Sequence, residues 1–218
     1  MKKVLKIHSY VLILTLILLP AMVEAQDIIL PAPVKSGGKP LMDALNDRGS
    51  SRSFSNKELT MQQMSDLLWA AWGFKREADE KRTAPSSHNR QEMEVYVALK
   101  SGLYLYDAGG NALKQIHDRD IRALTGTQDF PAMAPLNLIY VADLTKRGLK
   151  EGQQITDTDL LSSWANTGFM AQNVYLYCAS EGLACVIRAM VPREELAPEM
   201  GLKPGQAIIL AQTVGFPE

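Results

Sequence analysis

The segment from Asp157 to Glu181 constrains the fold more than any other part of this 218-residue chain. Its spacing predicts one long helix, with Leu160, Leu161, Trp164, Phe169, Ala171, Val174, Leu176 and Ala179 spread over more than one face. A helix apolar around much of its girth is stable only where that girth is covered, by a core or by a second subunit. Covering it takes several further elements, and the chain supplies them. Apolar alternation or short apolar runs predict strands over 94–99, 102–107, 112–116, 136–142, 184–191 and 207–214. The run Leu136–Ala142 is apolar throughout, which suits a sheet centre. Thr60–Trp72 predicts a second strong helix: Thr60 and Gln63 are spaced for a capping box, and Leu59 and Met64 for a hydrophobic staple. Gly73 ends it. Shorter helices are expected after Pro40, with Leu41, Ala44 and Leu45 on one face, and over 119–124 and 193–200. Helices come first, then strands and helices mixed, which gives an α+β layered domain. With 46% hydrophobic residues and no repeats, one core suffices.

Residues 1–25 stand apart. Lys2, Lys3 and Lys6 precede the apolar run Val11–Leu19, then Pro20 and Val23-Glu24-Ala25, the pattern of a secretory signal cut after Ala25. The run is too short to span a bilayer comfortably. An exported, periplasmic protein is therefore expected, with residues 26–39 as an irregular lead-in carrying Pro31, Pro33, Gly37 and Gly38. A net charge of -1 gives no basic excess, so nucleic acid is not an expected partner. Cys178 and Cys185, seven residues apart on one helix, would stand roughly 10 Å from each other, so buried free thiols are expected. His88 and His117 lack partners at metal spacing, and no metal site is expected. Ser86, Ser87 and His88 are adjacent and cannot face one another as nucleophile and base must. Trp69, Trp72 and Trp164 read as core.

Two polar stretches carry the chemistry. Asp47-Arg48-Gly49-Ser50-Ser51-Arg52-Ser53-Phe54 lies just ahead of the Thr60 helix start. In extended backbone alternate side chains share a side, so Arg48, Ser50 and Arg52 would face one way. Two guanidinium forks and a hydroxyl converging from one side suit a phosphate, although from these eight residues alone a solvated polar loop is the stronger reading. Thr83-Ala84-Pro85-Ser86-Ser87-His88-Asn89-Arg90-Gln91 is rich in groups that can hydrogen-bond a heteroaromatic edge.

These stretches, the Gly102-Leu-Tyr-Leu-Tyr-Asp107 hairpin, and Ala171-Gln172-Asn173 through Gly182-Leu183 to Val186-Ile187-Arg188 together resemble the FMN-dependent nitroreductase superfamily. Within it the chain looks most like the branch of the thiazoline/oxazoline dehydrogenases. The likeness runs from about Pro40 to Pro217. It implies a three-layer α+β fold with a central, mostly antiparallel sheet flanked by helices, in an intertwined homodimer with FMN at the interface. It implies that Arg48, Ser50 and Arg52 hold the FMN phosphate. Asn89, with Ser86 and Ser87, would address the pyrimidine edge of the flavin. The backbone of Ile187, Arg188 and Ala189 would lie along the ring with an N–H directed at N5. The implied activity is two-electron transfer from a donor to a small organic acceptor by a ping-pong mechanism, with no catalytic acid or base in the protein. The alternative is a periplasmic flavin- or small-molecule-binding protein without redox turnover. Two departures weaken the cradle: Arg188-Ala189 stands where relatives often have glycine, and the basic residue common after the terminal Gly-x-Pro is here Glu218. The sequence leaves the role of the Arg188 side chain open, gating substrate and meeting an acid among the options, and the mouth is expected around 75–81 and 144–156.

Overall fold

A computed structural model of the chain describes residues 26–76 and 80–218; the expected signal segment, residues 1–25, lies outside them. In chain order the elements are β1 (Ile28–Ile29), α1 (Leu41–Asp47), α2 (Met61–Trp72), β2 (Phe74–Arg76), β3 (Lys81–Arg82), β4 (Met93–Leu99), β5 (Gly102–Asp107), β6 (Ala112–His117), α3 (Phe130–Met133), β7 (Leu136–Asp143), α4 (Asp157–Glu181), β8 (Ala184–Arg188), α5 (Arg193–Glu199) and β9 (Gln206–Gly215). Seven strands form one sheet in the order β1-β6-β5-β4-β7-β9-β8, every adjacent pair antiparallel, while β2 and β3 make a separate hairpin.

Strand β7 lies inside this sheet and shows why it has no polar side. Leu136, Leu138, Tyr140 and Ala142 join the core beneath α2 and α4, where Leu67, Leu68, Met170 and Val174 meet them. Ile139 and Val141 point the other way, into a second core closed by Leu196 of α5 and by Met200. Helices therefore cover both sheet faces, giving three layers. The α2 helix begins with the expected capping box, Gln63 N–H on the Thr60 hydroxyl and Thr60 N–H on the Gln63 side chain.

Helix α4 spans the whole predicted segment, capped by Thr156 and Asp159 and ended by Gly182 in the left-handed conformation (φ 68°). Its buried stripe differs from the expectation. Ser163, Asn166 and Thr167 are buried beside Met170, Ala171, Val174, Tyr175 and Cys178, while Leu161, Trp164 and Phe169 are exposed at 72%, 40% and 48%. Trp164 is thus partly exposed and not a core residue of this chain, although it shares a helical side with buried Ala171 and Tyr175; the Arg193 guanidinium lies 5.7 Å from its ring.

Smaller differences have local causes. The lead-in is not wholly irregular, since Ile28 and Ile29 pair with Leu113 and Ala112 along the edge of β6. Residues 75–92 hold the β2–β3 hairpin and a 3-10 turn at 87–89. The helix expected over 119–124 is a 3-10 turn at 122–125, followed by α3. Strand β8 stops at Arg188 rather than 191, where the chain turns toward Pro192. On α1 only Ala44 is buried; Leu41 and Leu45 face outward. Both cysteines are buried and free.

Candidate functional site

The basic stretch after α1 runs along the free edge of β8. Ser51 N–H donates to the Cys185 carbonyl (3.0 Å), and Ser55 N–H to the Phe216 carbonyl (3.0 Å). An edge strand presents every second residue's backbone groups outward, so after Cys185 the next is Ile187. Ile187 N–H donates to the Tyr175 hydroxyl of α4 (3.0 Å), and that same hydroxyl lies 2.7 Å from Ser50 Oγ. The Arg48 guanidinium stands 5.4 Å from the centroid of the Tyr175 ring, within cation–π range. Arg48, Ser50 and Ile187, distant in sequence, thus meet around one tyrosine. A cavity of about 230 Å³ opens beside them, bordered by Asp47, Ser51, Leu183 and Pro217. Arg52 is exposed and makes no hydrogen bond or ion pair among the described residues. Ser53 donates to the Glu218 carboxylate (2.5 Å), so the acid at 218 is held by the third serine of the stretch.

The second stretch forms a tight loop against the N-terminal half of α4. Ser86 Oγ accepts from Gln91 N–H (3.1 Å), and Ser87 N–H donates to Asn166 Oδ1 (3.3 Å). His88, Asn89 and Gln91 all have φ near +50°, a conformation that needs outside support in non-glycine residues. Asn89 is exposed, its Oδ1 accepting from the Gln91 amide (3.3 Å). Support comes from below: Asn166 Nδ2 and Ser163 Oγ both donate to Glu92 Oε1 (2.8 and 3.0 Å). Glu92 is fully buried and its Oε2 has no hydrogen-bond partner among the described residues. Ser86, Ser87 and Asn89 are therefore together, but not beside Ser50. Helix α4 links the two clusters through Asn166 and Tyr175, roughly 13 Å apart along its axis.

The structure supplies the role of the Arg188 side chain that the sequence left open, and it meets no acid among the described residues. It is buried, donating to the Thr125 carbonyl (2.6 Å), the Thr125 hydroxyl (3.2 Å), Asn137 Oδ1 (3.1 Å) and Thr213 Oγ1 (3.0 Å). Burial without a carboxylate pushes its pKa down to about 10, so it stays a cation at neutral pH. A Cβ at Gly126 would stand 2.0 Å from Arg188 Nη1, so glycine there is a matter of space. Ala189, by contrast, is exposed. Of the expected mouth, 144–147 is a 3-10 turn and 77–79 lies outside the described residues. No cluster of metal-ligating side chains occurs among the described residues.

Sequence reasoning did not find Tyr175, Asn166 and Glu92. No spacing signal joined Asn166 to Tyr175, which stand half a turn out of phase on α4, on opposite flanks of its buried side.

Architecture and geometry together are those of a three-layer α+β domain with a basic, hydroxyl-rich stretch along an edge strand and a polar loop against the same helix. The nitroreductase family model matches residues 45–216, and the chain belongs to that family. It is 31% identical over 158 residues to a candidate nitroreductase of Methanocaldococcus jannaschii, covering 67% of this chain and 76% of that protein. A crystal structure of a candidate nitroreductase from Ralstonia eutropha JMP134 matches with a TM-score of 0.81 at 41% identity, over 88% of this chain and 90% of that one. A crystal structure of a candidate nitroreductase from Desulfovibrio desulfuricans, in complex with FMN, matches in fold with a TM-score of 0.58 at 17% identity, over 83% and 88% of the two chains.

Proposed function

We propose that the protein is an FMN-dependent oxidoreductase that carries two electrons from a donor to a small organic acceptor by a ping-pong mechanism. The observation that carries this reading is the convergence of Arg48, Ser50 and Ile187 on Tyr175 at the free edge of β8. The residues present fit a phosphorylated flavin. Arg48 and Arg52 supply guanidinium forks for a phosphate, and the Ser50 hydroxyl adds a donor. The loop 86–89 presents amide and hydroxyl groups at the other end of α4, on the scale of an extended ribityl-flavin. FMN supplies the hydride chemistry; the protein binds, orients and tunes it. Ile187 N–H is committed to Tyr175, so the donor left on this edge for a ring nitrogen is Ala189 N–H, which has no partner among the described residues. The finer placement in the thiazoline/oxazoline dehydrogenase branch rests on the Gly102–Asp107 strand motif.

The exposed stripe Leu161, Trp164 and Phe169 on α4 supports a homodimer in which a second copy covers this face. Export rests on the sequence pattern of residues 1–25. Because nicotinamide donors are cytosolic, the donor is part of the question. The experiment is anaerobic bleaching of the purified mature chain. A yellow protein bleached by NADH or NADPH is expected; bleaching by dithionite alone would favour another donor or binding without turnover. A colourless protein that ignores added FMN would end the reading. Arg48→Ala is expected to cost about 1.5–3 kcal/mol of FMN binding, one charge-assisted hydrogen bond, by flavin fluorescence titration.

A further inference from the structure

The Tyr175 hydroxyl joins β8 to the Arg48 stretch. It accepts from Ile187 N–H at 3.0 Å, and its only other partner among the described residues is Ser50 Oγ at 2.7 Å. Both hydroxyls border the cavity at this edge, so either can donate across the contact. With the Tyr175 oxygen already taken by Ile187 N–H, the arrangement that fits an anion in the cavity sends Tyr175 O–H to Ser50 Oγ and the Ser50 proton outward.

We propose that Tyr175 is a positioning residue of the anion site, which turns the Ser50 hydroxyl into an outward-aimed donor for the phosphate of the bound mononucleotide. The inference rests on the flavin reading above and adds a residue that acts through another. Each bond in the chain polarises the next, so the last donor is stronger than an isolated serine. Arg48, over the Tyr175 ring, puts its charge beside the same point. The device selects for the phosphate end of the ligand and is indifferent to the flavin ring.

Paired titrations with FMN and riboflavin, which lacks the phosphate, test it. Tyr175→Phe is expected to weaken FMN about three- to tenfold, the size of one uncharged hydrogen bond, and to leave riboflavin unchanged. In Tyr175→Phe/Ser50→Ala the loss should not exceed that of Ser50→Ala alone. Equal loss for both ligands, no loss for FMN, or additive losses would overturn the proposal. Should Tyr175→Phe fail to fold, 3-fluorotyrosine at position 175 keeps both bonds and makes the phenol a better donor. FMN binding should then tighten relative to riboflavin; weakening or no change would mean that Ser50 is the donor to Tyr175, and the relay is wrong. If the unaltered chain, Arg48→Ala and Ser50→Ala all bind FMN and riboflavin alike, the phosphate placement itself fails, a result distinct from failure of the relay.

Discussion

Arg188 shows how one residue can be essential to a site without entering it. Its guanidinium ties the loop at Thr125 to Asn137 on β7 and Thr213 on β9, so it fastens the backbone from which Ala189 leaves the sheet. Four neutral acceptors replace the carboxylate that a buried cation ordinarily has. Removing the fork strands those acceptors, although relief of the buried charge returns part of the loss. Arg188→Met is expected to lower the unfolding free energy by about 2–4 kcal/mol in urea titrations. Arg188→Lys should recover little of it, because an ammonium cannot span acceptors on three segments as a planar fork does.

At the scale of elements, α4 carries the site, and its first turn is the part most open to solvent conditions. The Thr156 hydroxyl, and then its backbone N–H, hold the Asp159 carboxyl below the usual carboxylate range. A carboxyl with a lower pKa in the folded state adds stability above its unfolded value, about pH 4, and loses it as pH falls through the folded value. Acid unfolding should therefore flatten below about pH 4 in Asp159→Asn relative to the parent chain, by circular dichroism against pH. Both capping boxes lie in local spacing: Thr60 with Gln63 was read from the sequence, whereas Thr156 with Asp159 was not. The strands were legible for a similar reason, since a run such as Leu136–Ala142 has few other uses. What was not legible depends on contacts distant in the chain. Trp164 looked like core because periodicity cannot say which face of a greasy helix meets the sheet. Tyr175 gave no signal because Ser50 and Ile187 reach it only after folding. The Arg48 stretch stood out as a candidate, since guanidiniums and hydroxyls crowded into eight residues are a local signal.

For the whole molecule, the exposed stripe on α4 argues for assembly. Leu161, Trp164 and Phe169 project from one helix beside Arg193, whose guanidinium lies 5.7 Å from the Trp164 ring. Exposed large apolar side chains of this kind are what the proposed second copy would cover. If the proposed homodimer forms through this helix, the parent chain should sediment as a dimer and Phe169→Glu as a monomer, with the far-ultraviolet spectrum unchanged. The sheet order carries a different consequence. Strand β9, the last of the strands to be synthesised, is inserted between β7 and β8, and β8 has no other neighbour in the sheet. The edge against which the Arg48 segment lies does not exist until β9 is in place. The earlier strands can pair as hairpins before β9 emerges, yet the proposed cradle waits for it, so a chain truncated before β9 is expected not to retain flavin in a gel-filtration assay.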